Sequence, residues 1–586
     1  MSFNRYYREE LDYLRQLGRV FAEENPQLSR FLGDQGHDPD VERLLEGFAF
    51  LVGRLRQKVE DEFPELTHDL MSLIWPNFLR PVPAMSILEF TPVAGALDES
   101  TPIPRGCRVA SQPVDGTACR FQTAYDVQLD PIKVTEAEAK GAGVGTQVTI
   151  KIRTLPGLTL QAMTSRRLRF YLYADPLVAD AYYLWFLEHL KQVELRAPDG
   201  REAVARIAPS AVTPGGLSDT ESLLPYPPEA FAGFRLFQEF FAFKEKYHFL
   251  DIGPLPLEQL GGEAQGFDLV FRFDPEFDDI MRPRANTFRL HCTPIVNIFP
   301  FDGDPIRVEQ RAAEYRVRPS SRQSSHYEIF SVDQVEGWLQ GSAERRLYRA
   351  FTSFEHDEEI QGKGRAIYYR TRLKPSAVAR GIDHYLAFVD ASDRIAMPPT
   401  ETVSLKLSCT NRNLPEKLGI GDIDQPTSTS PDFAGFKNIS RISEALQPPI
   451  EGRSAWTLVS NLSLNYRSLA NVEALRVILA AYDFKAAVDR HAARKRKVQL
   501  EGIAAIRTEK VDRLYQGYPV RGVLSRLDMR EANFGGPGSA YLFGTILSRF
   551  YALYASVNSF HQLQVYGLDQ GETYTWPPMI GHKAIL

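Results

Sequence analysis

The sequence predicts an α+β fold of several domains: an N-terminal helical region, then several β-rich modules, then a C-terminal α+β region. Three observations carry this. Apolar residues recur at helical spacing through the first 84 residues, period-two runs follow, and a stretch apolar nearly all round returns near the end. No repeat of fixed period and no sustained βαβ rhythm appear, which argues against a parallel doubly wound sheet.

Residues 4–24 place Tyr7, Leu11, Leu14 and Phe21 at spacings of four, three and seven, one face of a helix. A second helix is expected from Asp38. Asp38 suits the N-cap, Pro39 the first helical position, and Asp40 the positive end of the helix dipole. Leu44, Phe48, Leu51, Leu55 and Val59 then recur at four, three, four and four, with Glu42, Arg43, Glu46, Arg54, Gln57 and Lys58 facing solvent. A third helix is expected over residues 64–75. Pro76 ends it, and Pro81-Val82-Pro83 gives a stiff exit.

Residues 85–91 read as a strand. Residues 148–153, 267–273 and 403–409 alternate apolar with polar and predict half-buried, antiparallel strands. Helical stretches are expected at 175–193 and 332–340. Residues 212–216, 224–228 and 419–436 read as joints, the last as a surface excursion rich in Asp, Pro, Ser and Thr. After a breaker at 533–539, with Ser539 as a possible cap, residues 540–554 predict a buried helix. The expected modules are 1–84 (helical), 85–225 (β-rich), 226–330 (β-rich with an aromatic segment), 331–450 (α+β) and 451–586 (α+β).

Hydrophobic residues make up 44% and charged residues 24% of 586, an ordinary globular balance that excludes a disordered or fibrous chain. The net charge of −6 lacks the footprint of a nucleic-acid binder. Cys107, Cys119, Cys292 and Cys409 form no CxxC pair, so free thiols in a reducing cytoplasm are expected. The first residues show no apolar signal segment, and the longest early apolar run, 47–53, falls far short of the ~20 residues of a membrane span.

Each candidate catalytic or ligand motif has a plainer structural reading. The cluster 355–359 (EHDEE) reads as a solvated acidic turn, with no close His/Cys ligand spacing elsewhere. Asp274, Glu276 and Asp278 match a calcium loop at three positions, but Asp279 stands where glycine is needed and Ala285 where the bidentate Glu is needed. Gly141, Gly143 and Gly145 precede a strand, so they mark a hairpin and not a phosphate cradle. Arg490, Arg494, Lys495, Arg496 and Lys497 read as a helix C-terminus complementing the dipole, with a protein, lipid-headgroup or nucleic-acid contact as alternatives. The dense aromatics suit a chain that buries large surfaces, its own or a partner's.

Residues 38–85 (DPDVERLLEGFAFLVGRLRQKVEDEFPELTHDLMSLIWPNFLRPVPAM) closely resemble the N-terminal region of the TssF family, type VI secretion baseplate subunits also called ImpG or VasA. Further blocks follow in the family's order: 234–249 (FRLFQEFFAFKEKYHF), 291–299 (HCTPIVNIF), 304–306, 327–332 (YEIFSV), 409–415 (CTNRNLP), 456–469 (WTLVSNLSLNYRSL) and 534–560. His291 and Lys244 depart from the residues usual in the family. The resemblance implies a structural subunit, similar to phage baseplate wedge proteins, with no enzymatic activity and no cofactor. It implies a wedge of two TssF copies with one TssG, joined by TssK and TssE, six wedges around a VgrG hub, and nucleation of the contractile sheath and tube. It implies a cytoplasmic baseplate docked at the inner-membrane complex, without membrane insertion and without nucleic acid.

Tyr7, Leu11, Leu14, Leu44, Phe48, Leu51 and Leu55 are the expected contacts of an intermolecular helical bundle with TssG and the second copy, an ordinary domain core being the alternative. The Pro-rich stretch 76–83 is an expected hinge between copies that make different contacts. A β-rich hydrolase using Asp268, Asp274 or Glu276, or a carbohydrate- or ligand-binding module, is the competing class.

Overall fold

The computed structural model describes residues 7, 11, 14, 40–41, 43–52, 68, 71–72, 74–93, 95–141, 145–227, 230–231, 233–274, 282–308, 312–339, 345–351, 367–376, 381–390, 395, 401–448, 471–515 and 518–581. The chain divides into two compact units, Met1–Leu73 with Ile450–Val459, and Ile74–Pro449 with Ser460–Leu586. In the first unit, residues 40, 41 and 43–52 are helical, as are 7, 11, 14, 68, 71 and 72.

The second unit is built on sheets. A six-stranded antiparallel sheet runs Gln425–Pro426, Arg108–Val114, Thr117–Thr123, Cys292–Val296, Met85–Pro92 and Ala434–Asn438. Leu88, Val109, Phe121 and Ile295 form its core with Leu129 and Ile423. The 419–436 stretch is therefore more than a surface excursion. Its strands close both edges of this sheet, and the Ile423 side chain is fully buried. The Pro-rich 76–83 stretch is anchored too: Phe78 and Leu79 are buried, and the Val82 amide donates to the Leu446 carbonyl at 2.8 Å.

A five-stranded antiparallel sheet places Gly266–Phe273 in its middle, between Leu190–Arg196 and Thr146–Thr154. Thr146–Thr154 alternates buried and half-buried residues as its sequence predicts. Gly266–Phe273 does not: every residue but Arg272 is buried. A strand with neighbours on both edges and packing on both faces is buried throughout. Asp268 is tolerated there because Arg153 donates to one of its oxygens at 2.6 Å and the Asp199 amide to the other at 3.0 Å. The expected helix over 175–193 is only partly so. Pro176–Leu184 is α-helical, Trp185–His189 is a π turn, and Leu190–Arg196 joins this sheet.

The largest sheet has eight strands around Glu401–Thr410 and Glu328–Leu339, with Val335, Leu386, Val403 and Leu407 in its core. The expected helix at 332–340 is instead a strand through Leu339. Its pairing with Glu401–Thr410 is broken by two bulges, between Ile329 and Ser331 and between Val332 and Gln334. Each bulge slips the apolar residues by one position and hides the period of two.

The C-terminal sheet begins with the antiparallel hairpin Ile503–Tyr515 and Tyr518–Met529. Tyr518–Met529 then pairs in parallel with Phe560–Gly567, and the Pro537–Ala552 helix makes the crossover that parallel strands require. Gly535 (φ 97°) and Gly536 (φ 132°) take backbone conformations closed to most residues and aim this helix. The cap is Gly536 with Pro537 at the first position; Ser539 instead donates its hydroxyl to Asp180.

Candidate protein interfaces

Two aromatic blocks of the sequence pack on each other and hold the second unit together. Phe237 of the Gly233–Ala242 helix lies 5.0 Å from Phe550 and 5.8 Å from Phe543 of the Pro537–Ala552 helix. The Trp75 ring packs, tilted, at 5.2 Å from Phe234 and 5.0 Å from Tyr482. These rings bury large apolar area, so the density of Phe in 231–243 serves the core of this chain.

Buried charges lock the same helices. Asp180 accepts from His248 Nε2 at 2.7 Å, from Lys244 Nζ at 2.6 Å and from the Ser539 hydroxyl. Burial opposes its ionisation, but the hydrogen bonds and charge of His248 and Lys244 prevail and hold the carboxyl below its ordinary value. Lys244 is thereby engaged in the core of this unit. Gly538 is required beside it, because a Cβ would meet the Asp180 backbone at 2.5 Å. Lys246 and Glu239 form a fully buried ion pair, and Glu239 also accepts the Leu223 amide at 2.8 Å. His291 sits at φ 59° and accepts the Asp130 amide at 3.2 Å; burial lowers its pKa to about 4.

The residues expected to meet partners divide. Leu44, Phe48 and Leu51 are 73%, 58% and 66% exposed on the helical run 43–52. Ala49 on the same run is buried. Leu11 is buried, Tyr7 and Leu14 are half-buried, and Leu55 lies outside the described residues.

A second exposed feature leaves little signal in the sequence. In the C-terminal hairpin, residues 507–510 and 512–514 are exposed and Val511 is half-buried. Leu514 is 78% exposed. Beside it an open hollow of about 440 Å³ is lined in part by Leu514, Val520, Phe560 and Ile580. The alternation of Arg507, Glu509, Val511 and Arg513 was the signal available, masked by the charge on both faces.

The basic run is not a helix C-terminus. Asp489 caps a new helix, Arg490–Glu501, that opens with Arg490, and Arg496 folds back onto Asp483 at 2.6 Å. Arg490, Arg494, Lys495 and Lys497 are exposed. Among the described residues no three His, Cys, Asp or Glu side chains converge as a metal cluster, and no helix is long and apolar enough to cross a membrane. All four cysteines are free and buried. The 355–359 cluster, Glu276 and Asp278 lie outside the described residues.

Comparison with known proteins gives one consistent answer. The family described as "Type VI secretion system, TssF" matches residues 1–583. The type VI secretion system component TssF1 of Pseudomonas aeruginosa is 30% identical over 623 residues, covering 99% of this chain and 98% of that protein. A chain in the cryo-electron microscopy structure of the type VI secretion TssK-TssF-TssG baseplate subcomplex matches with a TM-score of 0.75 at 29% identity, covering 92% of this chain and 99% of its own. A chain of a type VI secretion baseplate complex matches at a TM-score of 0.60 and 27% identity over 100% of both chains.

Proposed function

This chain belongs to the TssF family and is a subunit of the type VI secretion baseplate, and we propose that it works there as a structural wedge component assembled through its apolar N-terminal helix. The observation that carries the assembly surface is the open stripe of Leu44, Phe48 and Leu51, spaced four and three apart on one helix. Large exposed apolar side chains in a row mark a surface that another helix covers. A related complex unites TssK, TssF and TssG, which supports TssG and TssK as partners here. In our reading two copies of this chain bind one TssG, with Tyr7, Leu11, Leu14 and Leu55 completing the bundle. TssE, the VgrG hub and neighbouring wedges then join, the wedge ring nucleates sheath and tube, and the assembly docks in the cytoplasm at the inner-membrane complex.

The chain acts by binding and not by catalysis in this reading. Asp268, the central carboxylate of a hydrolase reading, has both oxygens occupied by Arg153 and the Asp199 amide. Native mass spectrometry of the chain co-expressed with TssG and TssK tests the assembly. A species with two copies of this chain to one TssG is expected, and Phe48→Asp removes TssG while the chain stays folded. A chain that ignores TssG at full occupancy overturns the proposal.

A further inference from the structure

We propose that the outer edge of the Ile503–Tyr515 strand is a self-association site, pairing antiparallel with the same strand of a second copy about a two-fold axis at Val511. Among the described residues the strand ends its sheet, with Tyr518–Met529 on one side only. Its beginning is held by the neighbouring helix, where Arg476 donates to the Ile503 carbonyl at 2.8 Å. From Arg507 to Leu514 its side chains are exposed or, at Val511, half-buried. An edge of this kind is a template for another strand.

The charges select the occupant. Within the hairpin, Glu509 accepts from Arg526 at 2.9 Å, Asp512 from Arg521 at 2.9 Å, and Asp528 from Arg507 at 3.2 Å. Among the described residues Lys510 and Arg513 have no carboxylate partner. Placed antiparallel with Val511 facing the second copy's Val511, Lys510 faces Asp512, Glu509 faces Arg513, and Thr508 faces Leu514. The two-fold makes every pair twice, so Lys510 and Arg513 each meet an anion on the same face of the joined sheet, while Arg507 stays with Asp528 of its own hairpin.

The alternatives fail on the same residues. Outward backbone groups recur on alternate residues, so the two-fold moves only in whole-residue steps. Centred one residue earlier, Lys510 faces Lys510 and Arg507 faces Arg513. Centred one residue later, Asp512 faces Asp512. A parallel in-register pairing sets every charge against its like. The edge charges that keep foreign strands away therefore fit this strand's own sequence reversed.

The test uses the full chain, alone and co-expressed with TssG. Val511→Cys treated with a short bismaleimide cross-linker gives a covalent dimer, on a background kept low by the four buried native cysteines. Adding Lys510→Asp sets like charges together and lowers the dimer yield about tenfold. Adding Asp512→Lys to that variant restores it, because the pair is then reversed and not lost. No covalent dimer in either preparation, an undiminished dimer with Lys510→Asp, or no recovery in the double reversal overturns the proposal. TssG co-purification with Lys510→Asp is expected unchanged, which separates this edge from the N-terminal helix.

Discussion

Two apolar helical segments of this chain are built from similar residues and end in different situations. In the Pro537–Ala552 helix, Leu542, Phe543, Ile546, Leu547 and Phe550 have no exposure at all. In the run 43–52, Leu44, Phe48 and Leu51 stand open. The first helix is a crossover between two parallel strands, and the chain's own topology supplies its cover from the sheet, the Gly233–Ala242 helix and the Pro176–Leu184 helix. The comparison teaches that apolar spacing specifies a face that must be covered, and says nothing of whether the cover is the same chain.

The same substitution in both places breaks the comparison most sharply. Phe550→Asp puts an unpaired carboxylate among Phe231, Phe237, Tyr482 and Tyr554, and costs more than the whole stability of an ordinary domain can bear. We expect no soluble folded chain, as read by circular dichroism and size exclusion. The buried charges beneath these rings come next. Glu239→Ala leaves Lys246 buried and unpaired, and urea denaturation is expected to show a loss of about 3–5 kcal/mol. Glu239→Gln with Lys246→Met removes both charges and loses less.

Acid has a smaller, graded effect. Burial lowers the pKa of His291 and His384 to about 4 and of His561 to about 3. Their contribution to stability is complete above the unfolded histidine value of about 6.5, and is lost as pH falls through the folded values. Asp130 runs the other way: burial raises it to about 6, so its contribution is present below the ordinary carboxylate value and lost as pH rises through 6. Three histidines outweigh one aspartate, so the melting temperature is expected to fall from pH 6.5 to pH 4. His384→Gln should make that fall shallower.

The smallest stability effect belongs to the open helix. Phe48→Asp changes an exposed position, and the melting temperature of the isolated chain is expected to move by no more than about 0.5 kcal/mol would imply. Binding to TssG is where its effect should appear. A Phe48→Asp chain that unfolds alone would place this residue with Phe550 and erase the distinction.

Strands were legible where the alternation ran unbroken. Thr146–Thr154 and Glu401–Thr410 show their predicted faces because one side of each is half-open. Glu328–Leu339 was not legible, because two bulges shift its register. Gly266–Phe273 read as half-buried because Asp268 and Arg272 look like solvent residues, yet Asp268 is carried inside by Arg153. The basic run 490–497 read as the end of a helix because the turn before it, capped anew by Asp489, leaves no strong breaker in the sequence. The exposed Leu44, Phe48 and Leu51 were legible as an apolar stripe, while the hairpin edge was not, since its charges resemble an ordinary wet surface.

By itself the sequence determined the family, the alternation of most strands, the buried character of the last long helix and the position of an apolar stripe near the start. These depend on local spacing and on long ordered blocks, both of which survive in one dimension. Only the tertiary structure decided which apolar faces the chain covers, which charges go inside with a partner, and which strand is left at an edge. Those depend on residues far apart in sequence meeting at a few ångströms, as Asp180 does with His248 and Ser539, and no local period records such a meeting.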